Sequence, residues 1–283
     1  MRYSANEIKN ILDSNNFIVS KSIIKHPECT IEHCLTDSRQ VSFMDSTLFV
    51  ALETNTGSGH KYVEELYKQG VKNFLISIWD KSYEQFDANF FLVDNTLKAL
   101  QALAMYHRDN FIHGAELFRF PIIGVTGSNG KTIVKEWLYQ LLKDKFNCCR
   151  SPKSYNSQIG VPLSVLNINK EHNLGIFEAG ISQTNEMERL AMIIKPKIGI
   201  ITNIGNAHNA GFHSIEEKIE EKIKLFYAAD TVICPSKYGV EKYFEKKLTQ
   251  LITWGINDDN AIINVEKEVL DNATIVKFTY NNR

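Results

Sequence analysis

The sequence predicts an α/β protein of two successive domains, the second carrying a mainly parallel sheet built around a glycine-rich turn. Three observations predict it. Short apolar runs alternate with helix-length amphipathic segments along most of the chain, the pattern of repeated βα units. The stretch Gly124–Thr132 places three glycines between one such run and one such segment. The 283 residues amount to about two domains at roughly 150 residues each.

Taken in order, Ser4-Ala5-Asn6-Glu7 is a capping box that opens a helix to about Asp13. Apolar runs at Ile31–Leu35 and Thr47–Leu52 read as strands. His60–Gln69 reads as a helix stopped by Gly70, and Asn73–Ile78 as the next strand. Asn95 or Thr96 caps a longer helix whose Leu97, Leu100, Leu103 and Ala104 share a face. The period is lost at His113–Arg119, which sets the domain boundary, giving residues 1–114 and 115–283.

The second half repeats the pattern more strongly. Strands are expected at Pro121–Val125, Leu174–Phe177, Ile198–Thr202 and Thr231–Cys234. Helices are expected at Lys131–Lys143, Asn185–Ile194, Ser214–Ala229 and Lys237–Lys247, with a second capping box at Ser214 and Glu217. The tail holds β-rich stretches such as Ala261–Val265 and Thr274–Thr279.

Composition removes several classes. Hydrophobic residues at 43% and aromatics at 11% supply real cores, against disorder. Thirty-two Lys and Arg against 33 Asp and Glu leave a net charge of −1, without the basic excess of a general nucleic-acid binder. No apolar run approaches the roughly 18 residues of a membrane helix. The opening MRYSANEIKN lacks the apolar core of a signal peptide, so a cytoplasmic protein with reduced thiols is expected. Cys29, Cys34, Cys148, Cys149 and Cys234 form no CxxC pair, which argues against a cysteine zinc site.

The chemistry concentrates at Gly124-Val125-Thr126-Gly127-Ser128-Asn129-Gly130-Lys131-Thr132. Glycines let main-chain N–H groups close around phosphate oxygens, and a helix N-terminus adds partial positive charge. Lys131 can reach the β and γ phosphates, and the Thr132 hydroxyl can bind Mg²⁺. The spacing departs from G-x-x-x-x-G-K-[ST], whose first glycine would fall on Val125. Glu178 ends an apolar strand, where a metal-binding acid sits beside a phosphate loop.

Helical arithmetic singles out Lys222. At about 100° per residue from Ile215, Ile219 falls near 40°, Ile223 near 80°, Phe226 near 20° and Lys222 near −20°. The glutamates of that helix fall opposite, from about 100° to 240°. An inward lysine needs a partner or a lowered pKa.

Several motifs, in order, resemble the Mur ligase family of ATP-dependent cell-wall enzymes. Thr126–Thr132 with Lys135-Glu136 is similar to its ATP loop. Tyr155-Asn156-Ser157-Gln158-Ile159-Gly160-Val161-Pro162-Leu163 resembles its Asn-rich loop, Phe177-Glu178-Ala179-Gly180 its Glu-x-Gly element, and Thr202-Asn203 through His208 its Thr-Asn…His stretch. Thr36-Asp37-Ser38-Arg39, Leu48–Leu52, Gly59-His60 and Val93–Leu100 resemble the UDP-binding domain of the two later ligases. The wording at 159–163 and 202–208 looks most like the branch that adds D-alanyl-D-alanine, in the form fused to an alanine racemase.

The resemblance implies an N-terminal UDP-substrate domain and a central P-loop-type ATPase domain. The latter is incomplete at Arg283, before the family's adenine-holding helix and third domain, so a fragment is expected, and the likeness to the racemase-fused form leaves an alanine racemase domain beyond it as an open alternative. It implies ATP and Mg²⁺ as cofactors, and UDP-N-acetylmuramoyl-peptide and D-alanyl-D-alanine as substrates. ATP contacts are implied for Gly127, Ser128, Asn129, Gly130, Lys131, Thr132, Ile133 and Asn156. Metal contacts are implied for Thr132, Glu178 and His208, and catalytic roles for Lys131, His208 and a carbamylated Lys222. Asp37, Ser38 and Arg39 are implied to meet the UDP moiety, Arg39 pairing with the pyrophosphate. Folylpolyglutamate synthase, a relative sharing the nucleotide loop, would not be expected to open with an Asp-Ser-Arg domain. A GTPase wants Asn-Lys-x-Asp, and Asn169-Lys170-Glu171-His172 ends without the carboxylate. A non-catalytic UDP-sugar-binding remnant is the third alternative.

Overall fold

The computed structural model describes residues 1–15, 17, 22–40, 42–55, 57–114, 120–205, 211–244 and 249–280. It divides into two units, Met1–Glu116 with Gln158–Asn169, and Leu117–Ser157 with Lys170–Arg283. The expected boundary at 113–119 lies largely outside the described residues, since 115–119 are not among them.

The first unit opens with helix α1 (Ala5–Ser14). Ser4 accepts from the Glu7 amide and Glu7 reaches back to the Ser4 amide, the capping box read from the sequence. Its sheet is β1 (His33–Leu35), β2 (Thr47–Val50), β3 (Asn73–Ile76) and β4 (Asn89–Leu92), all parallel and in that order. The strands β2, β3 and β4 are buried throughout, as a sheet covered on both faces requires. Their core is aromatic: Phe74 and Tyr83 stack on Phe90 with centroids 5.2 and 4.7 Å apart. A 3₁₀ turn at Gly59–Tyr62 precedes helix α2 (Val63–Lys68), where one continuous helix is expected. Helix α3 (Thr96–Gly114) is capped by Asn95, whose Oδ1 accepts from the Lys98 amide at 2.9 Å. The strand β4 has no counterpart among the sequence expectations.

The second unit is an eight-stranded sheet. Its strands are β5 (Ile122–Thr126), β6 (Cys148–Arg150), β7 (Leu174–Glu178), β8 (Ile198–Ile201), β9 (Thr231–Pro235), β10 (Gln250–Ile256), β11 (Ile263–Leu270) and β12 (Ala273–Tyr280). The spatial order is β6-β7-β5-β8-β9-β10-β11-β12, parallel except for the antiparallel β11–β12 hairpin. Helix α4 (Lys131–Leu142) follows β5 and covers it with Val134, Leu138 and Leu142 against Ile123, Val125 and Ile176. The short helix α5 (Gly160–Val165) lies in the segment that belongs to the first unit. Helices α6 (Met187–Ile194) and α7 (Ile215–Ile223) complete the unit.

Three expectations fail here. The helix expected over Ser214–Ala229 tightens into a 3₁₀ turn at Lys224–Phe226. There Phe226 fills a slot left by two paired glycines, Gly124 and Gly199; a Cβ on either would lie 3.4 and 2.5 Å from its ring. The helix expected over Lys237–Lys247 is two 3₁₀ turns, Ser236–Tyr238 and Val240–Tyr243, split by Gly239 at φ 57°. Residues 245–248 of it lie outside the described residues. Glu221 is buried, not solvated: it accepts from the Met187 amide at 2.9 Å and from Lys224 Nζ at 2.7 Å.

Candidate nucleotide-binding and substrate-binding sites

The glycine-rich loop leaves the carboxyl end of the central strand β5, between β7 and β8. That edge of a parallel sheet is where ligands bind in open α/β folds. Of the three glycines, Gly124 lies inside β5 and serves packing against Pro196 and Phe226. Gly127, at φ 149°, is a different case: a Cβ there would meet Thr202 Oγ1 at 2.0 Å and Asn203 O at 2.9 Å. Gly130 opens α4 in the left-handed region, φ 80°, with no side-chain cap. The first-turn amides of Lys131, Thr132 and Ile133 therefore form an uncapped helix N-terminus, which favours an anion.

The two amides before Gly130 are held by the end of β8. Ser128 N donates to Asn203 O at 2.7 Å, and Asn129 N to Asn203 Oδ1 at 2.8 Å. Thr202 Oγ1 donates to Asn129 O at 2.6 Å, and Ser128 Oγ bridges to Gly205 at 3.0 and 3.2 Å. The main-chain amides of Ser128 and Asn129 therefore already have partners, in addition to the expected nucleotide role of these residues.

Lys131 Nζ rests on Gly127 O at 3.0 Å, with Ser128 O at 3.4 Å. Burial lowers its pKa while the Glu178 charge opposes that shift. Lys222 is 3% exposed, as the helical arithmetic required, and donates to Gly127 O at 3.3 Å. Burial, then the Lys131 and Lys218 charges, push it down to about 7, with Glu221 opposing. Lys218, one turn earlier and buried, donates to Gly205 O at 2.9 Å, and burial lowers its pKa. Lys218 was missed; its angle, near −60°, beside Lys222 was the available signal.

Glu178 ends β7 fully buried. Its Oε1 accepts from Asn156 Nδ2 at 3.0 Å, and its amide donates to Ser151 Oγ at 3.3 Å. Its Oε2 is buried without a hydrogen-bond partner. A buried carboxylate oxygen lacking a donor fits a divalent-cation ligand. Thr132 Oγ1 lies 3.2 Å from Ser154 Oγ. Among the described residues no cluster of three or more His, Cys, Asp or Glu could hold a metal. A cation here would thus take one carboxylate and a hydroxyl, completed by phosphate and water oxygens. His208 lies outside the described residues.

In the first unit, Asp37, Ser38 and Arg39 follow the carboxyl end of β1, Ser38 opening a 3₁₀ turn. Arg39 is bidentate to Asp37, Nε to Oδ1 at 2.9 Å and Nη2 to Oδ2 at 2.8 Å. The Arg39 hydrogen bond is the largest of the effects that hold the Asp37 carboxyl down to about 2. The exposed guanidinium is therefore pre-oriented by its own neighbour. At the ends of β2 and β3, His60 Nε2 accepts from the amides of Ser77 and Ile78 at 2.9 and 3.1 Å. Gly59 is needed there, because a Cβ would stand 2.9 Å from the Leu52 amide.

Residues 125–282, more than half of the chain, match the Mur ligase middle domain. The chain belongs to the Mur ligase family. Among the most similar members is the UDP-N-acetylmuramoyl-tripeptide–D-alanyl-D-alanine ligase of Borreliella burgdorferi, 35% identical over 227 residues, 77% of this chain and 47% of that one. The enzyme of the same name from Bacillus subtilis is 32% identical over 203 residues, 71% and 42% of the two chains. The chain spans about half the length of these Mur ligase relatives. The crystal structure of MurF from Acinetobacter baumannii superposes with a TM-score of 0.81 at 20% identity, over 99% of this chain and 59% of that one. MurF ligase from Thermotoga maritima, in complex with ADP, gives 0.74 at 24% identity, over 89% and 56%. At these identities the superpositions show the Mur ligase fold.

Proposed function

We propose that this chain supplies the UDP-substrate and ATP-binding parts of a ligase that joins D-alanyl-D-alanine to a UDP-N-acetylmuramoyl-tripeptide in peptidoglycan precursor synthesis. In this reading residues 1–114 supply the UDP-substrate domain and 115–283 the ATP domain, with the segment Gln158–Asn169 folding with the first unit. The observation that carries the reading is the uncapped helix start at Gly130–Thr132 facing a carboxylate, Glu178, with one unpartnered buried oxygen. The printed name shared by the curated relatives supports the substrate pair, and the ADP in the Thermotoga structure supports the nucleotide.

The amides of Gly130–Ile133 and the Lys131 ammonium hold the polyphosphate. Thr132, Glu178 and His208 would hold Mg²⁺, which screens charge on the phosphoryl oxygens. A carboxylate oxygen of the tripeptide attacks the γ-phosphorus, and ADP leaves. The dipeptide amine then attacks the acyl phosphate carbon, releasing phosphate and a proton. Lys222, with its amine free near neutral pH, is suited to carry CO₂ as a carbamate beside the γ-phosphate. Asp37 orients Arg39 toward the UDP pyrophosphate.

The test is phosphate release from ATP by the polypeptide containing this chain. Release that requires both UDP-N-acetylmuramoyl-tripeptide and D-alanyl-D-alanine supports the assignment. Release supported equally by a single amino acid, or independent of the UDP substrate, refutes it.

A further inference from the structure

Lys135 lies one turn beyond Lys131 on α4, and none of its side chain reaches solvent. A lysine ammonium has three N–H donors. Those of Lys135 meet Ser151 O at 2.6 Å, Lys153 O, and Glu136 Oε1 at 3.1 Å. Two of the three acceptors are main-chain carbonyls of the segment after β6.

That segment touches the cation side of the site three times. Ser151 Oγ accepts the Glu178 amide, Ser154 Oγ meets Thr132 Oγ1, and Asn156 Nδ2 donates to Glu178 Oε1. Asn156 O also accepts the Gly180 amide at 2.8 Å, closing the loop behind Glu178. Lys153 takes φ 48°, a left-handed conformation rare for a residue with a side chain. A backbone held there against its own preference is held by its surroundings, and the Lys135 ammonium is the group bonded to that carbonyl.

We infer that Lys135 is a positioning residue: by gripping the carbonyls of Ser151 and Lys153 from within α4, it sets the distance between the two cation ligands, Thr132 and Glu178. One ligand is carried on α4 itself, three residues before Lys135. The other is oriented by the segment Lys135 grips. A lysine that only stabilised the core would not need to reach the backbone on either side of Pro152, within the segment that bonds both ligands. The carboxylate has its second oxygen left open, so its direction depends on Asn156 and hence on the path of residues 151–156.

This inference rests on the Mg²⁺-nucleotide reading, and its test separates the two. ADP is titrated calorimetrically into the chain in Mg²⁺ and in EDTA. The wild type is expected to bind ADP more tightly in Mg²⁺. Lys135→Met is expected to lose roughly 10–100-fold of that enhancement, as disturbed outer-shell partners do, while binding in EDTA is unchanged. Lys135→Arg, which keeps the cation, restores most of it. Lys153→Val, at an exposed side chain that leaves the core intact, disfavours the left-handed carbonyl and is expected to mimic Lys135→Met. It serves as the test if Lys135→Met does not fold. An equal loss in both buffers, or full Mg²⁺ enhancement in a folded Lys135→Met or Lys153→Val chain, overturns the inference. A wild type that gains nothing from Mg²⁺ refutes the nucleotide reading itself and the inference with it.

Discussion

Lys131 and Lys222 direct their ammonium groups at one acceptor, the carbonyl oxygen of Gly127, at 3.0 and 3.3 Å. Burial first, and then the like charges of Lys131 and Lys218, hold Lys222 to about 7 while ordinary lysines titrate near 10.5. A phosphate chain brought to this loop would satisfy both cations.

Lys222 should therefore weaken the fold at low pH. Its folded pKa is depressed, so between about 7 and 10.5 the unfolded chain binds the extra proton and stability rises with pH. In bicarbonate-free buffer, Lys222→Met is expected to raise unfolding free energy at pH 6 by a few kcal/mol, on the order set by an unpaired buried charge. The gain should shrink toward pH 10, as read by urea unfolding at each pH. In bicarbonate, intact mass should show one CO₂ adduct on the wild type and none on the variant.

Glu178→Gln removes the charge whose second oxygen has no partner. Nucleotide binding in Mg²⁺ is expected to fall about 10–100-fold, with binding in EDTA unaffected. The melting temperature should hold or rise, since an unmatched buried charge is destabilising.

Gly127→Ala places a methyl 2.0 Å from Thr202 Oγ1 and 2.9 Å from the Asn203 carbonyl. It should cost about 2–3 kcal/mol and abolish nucleotide binding, because the loop and the end of β8 must separate. Gly239→Ala, left-handed but with nothing within 4 Å of the new Cβ, should cost only about 1 kcal/mol. Denaturant melts of the two variants provide the comparison.

Gly199→Ala collides with the Phe226 ring at 2.5 Å. It should destabilise by about 1–3 kcal/mol. Combining it with Phe226→Leu should cost less than the sum of the two single changes, since both act on one slot. Additive losses would count against the slot.

Arg39→Ala should leave stability within about 0.5 kcal/mol, the guanidinium being exposed. Affinity for UDP-N-acetylmuramoyl-tripeptide should drop about tenfold, in line with loss of a bidentate charged contact. Isothermal titration reads both the affinity and its salt dependence.

Much of this was legible in the chain itself because it is local. Ser4 with Glu7 wrote a helix start, and Gly127 wrote a backbone that no side chain tolerates. The inward aim of Lys222 followed from spacing alone. What failed depended on partners distant in sequence. Counting Ile215, which is 47% exposed, as part of the α7 apolar arc turned the expected buried face away from Lys218 and Glu221; the true arc is set by α6 and by Gly205. The strand β10 lacks strong alternation and is specified by its place beside β9. The hold of Asn203 on Ser128 and Asn129 has no local signature, being made 74 and 75 residues away.

The segment Gln158–Asn169 groups with the first unit although residues on both sides of it belong to the second. The polypeptide therefore passes from one body to the other three times, after residues 116, 157 and 169. A protease nicking between 114 and 120 would leave the bodies covalently tied through the other two passages. Excising 117–283 as a recombinant piece would strip Val161, Val165, Leu166 and Ile168 of the apolar neighbours that keep them dry, and such a piece should precipitate.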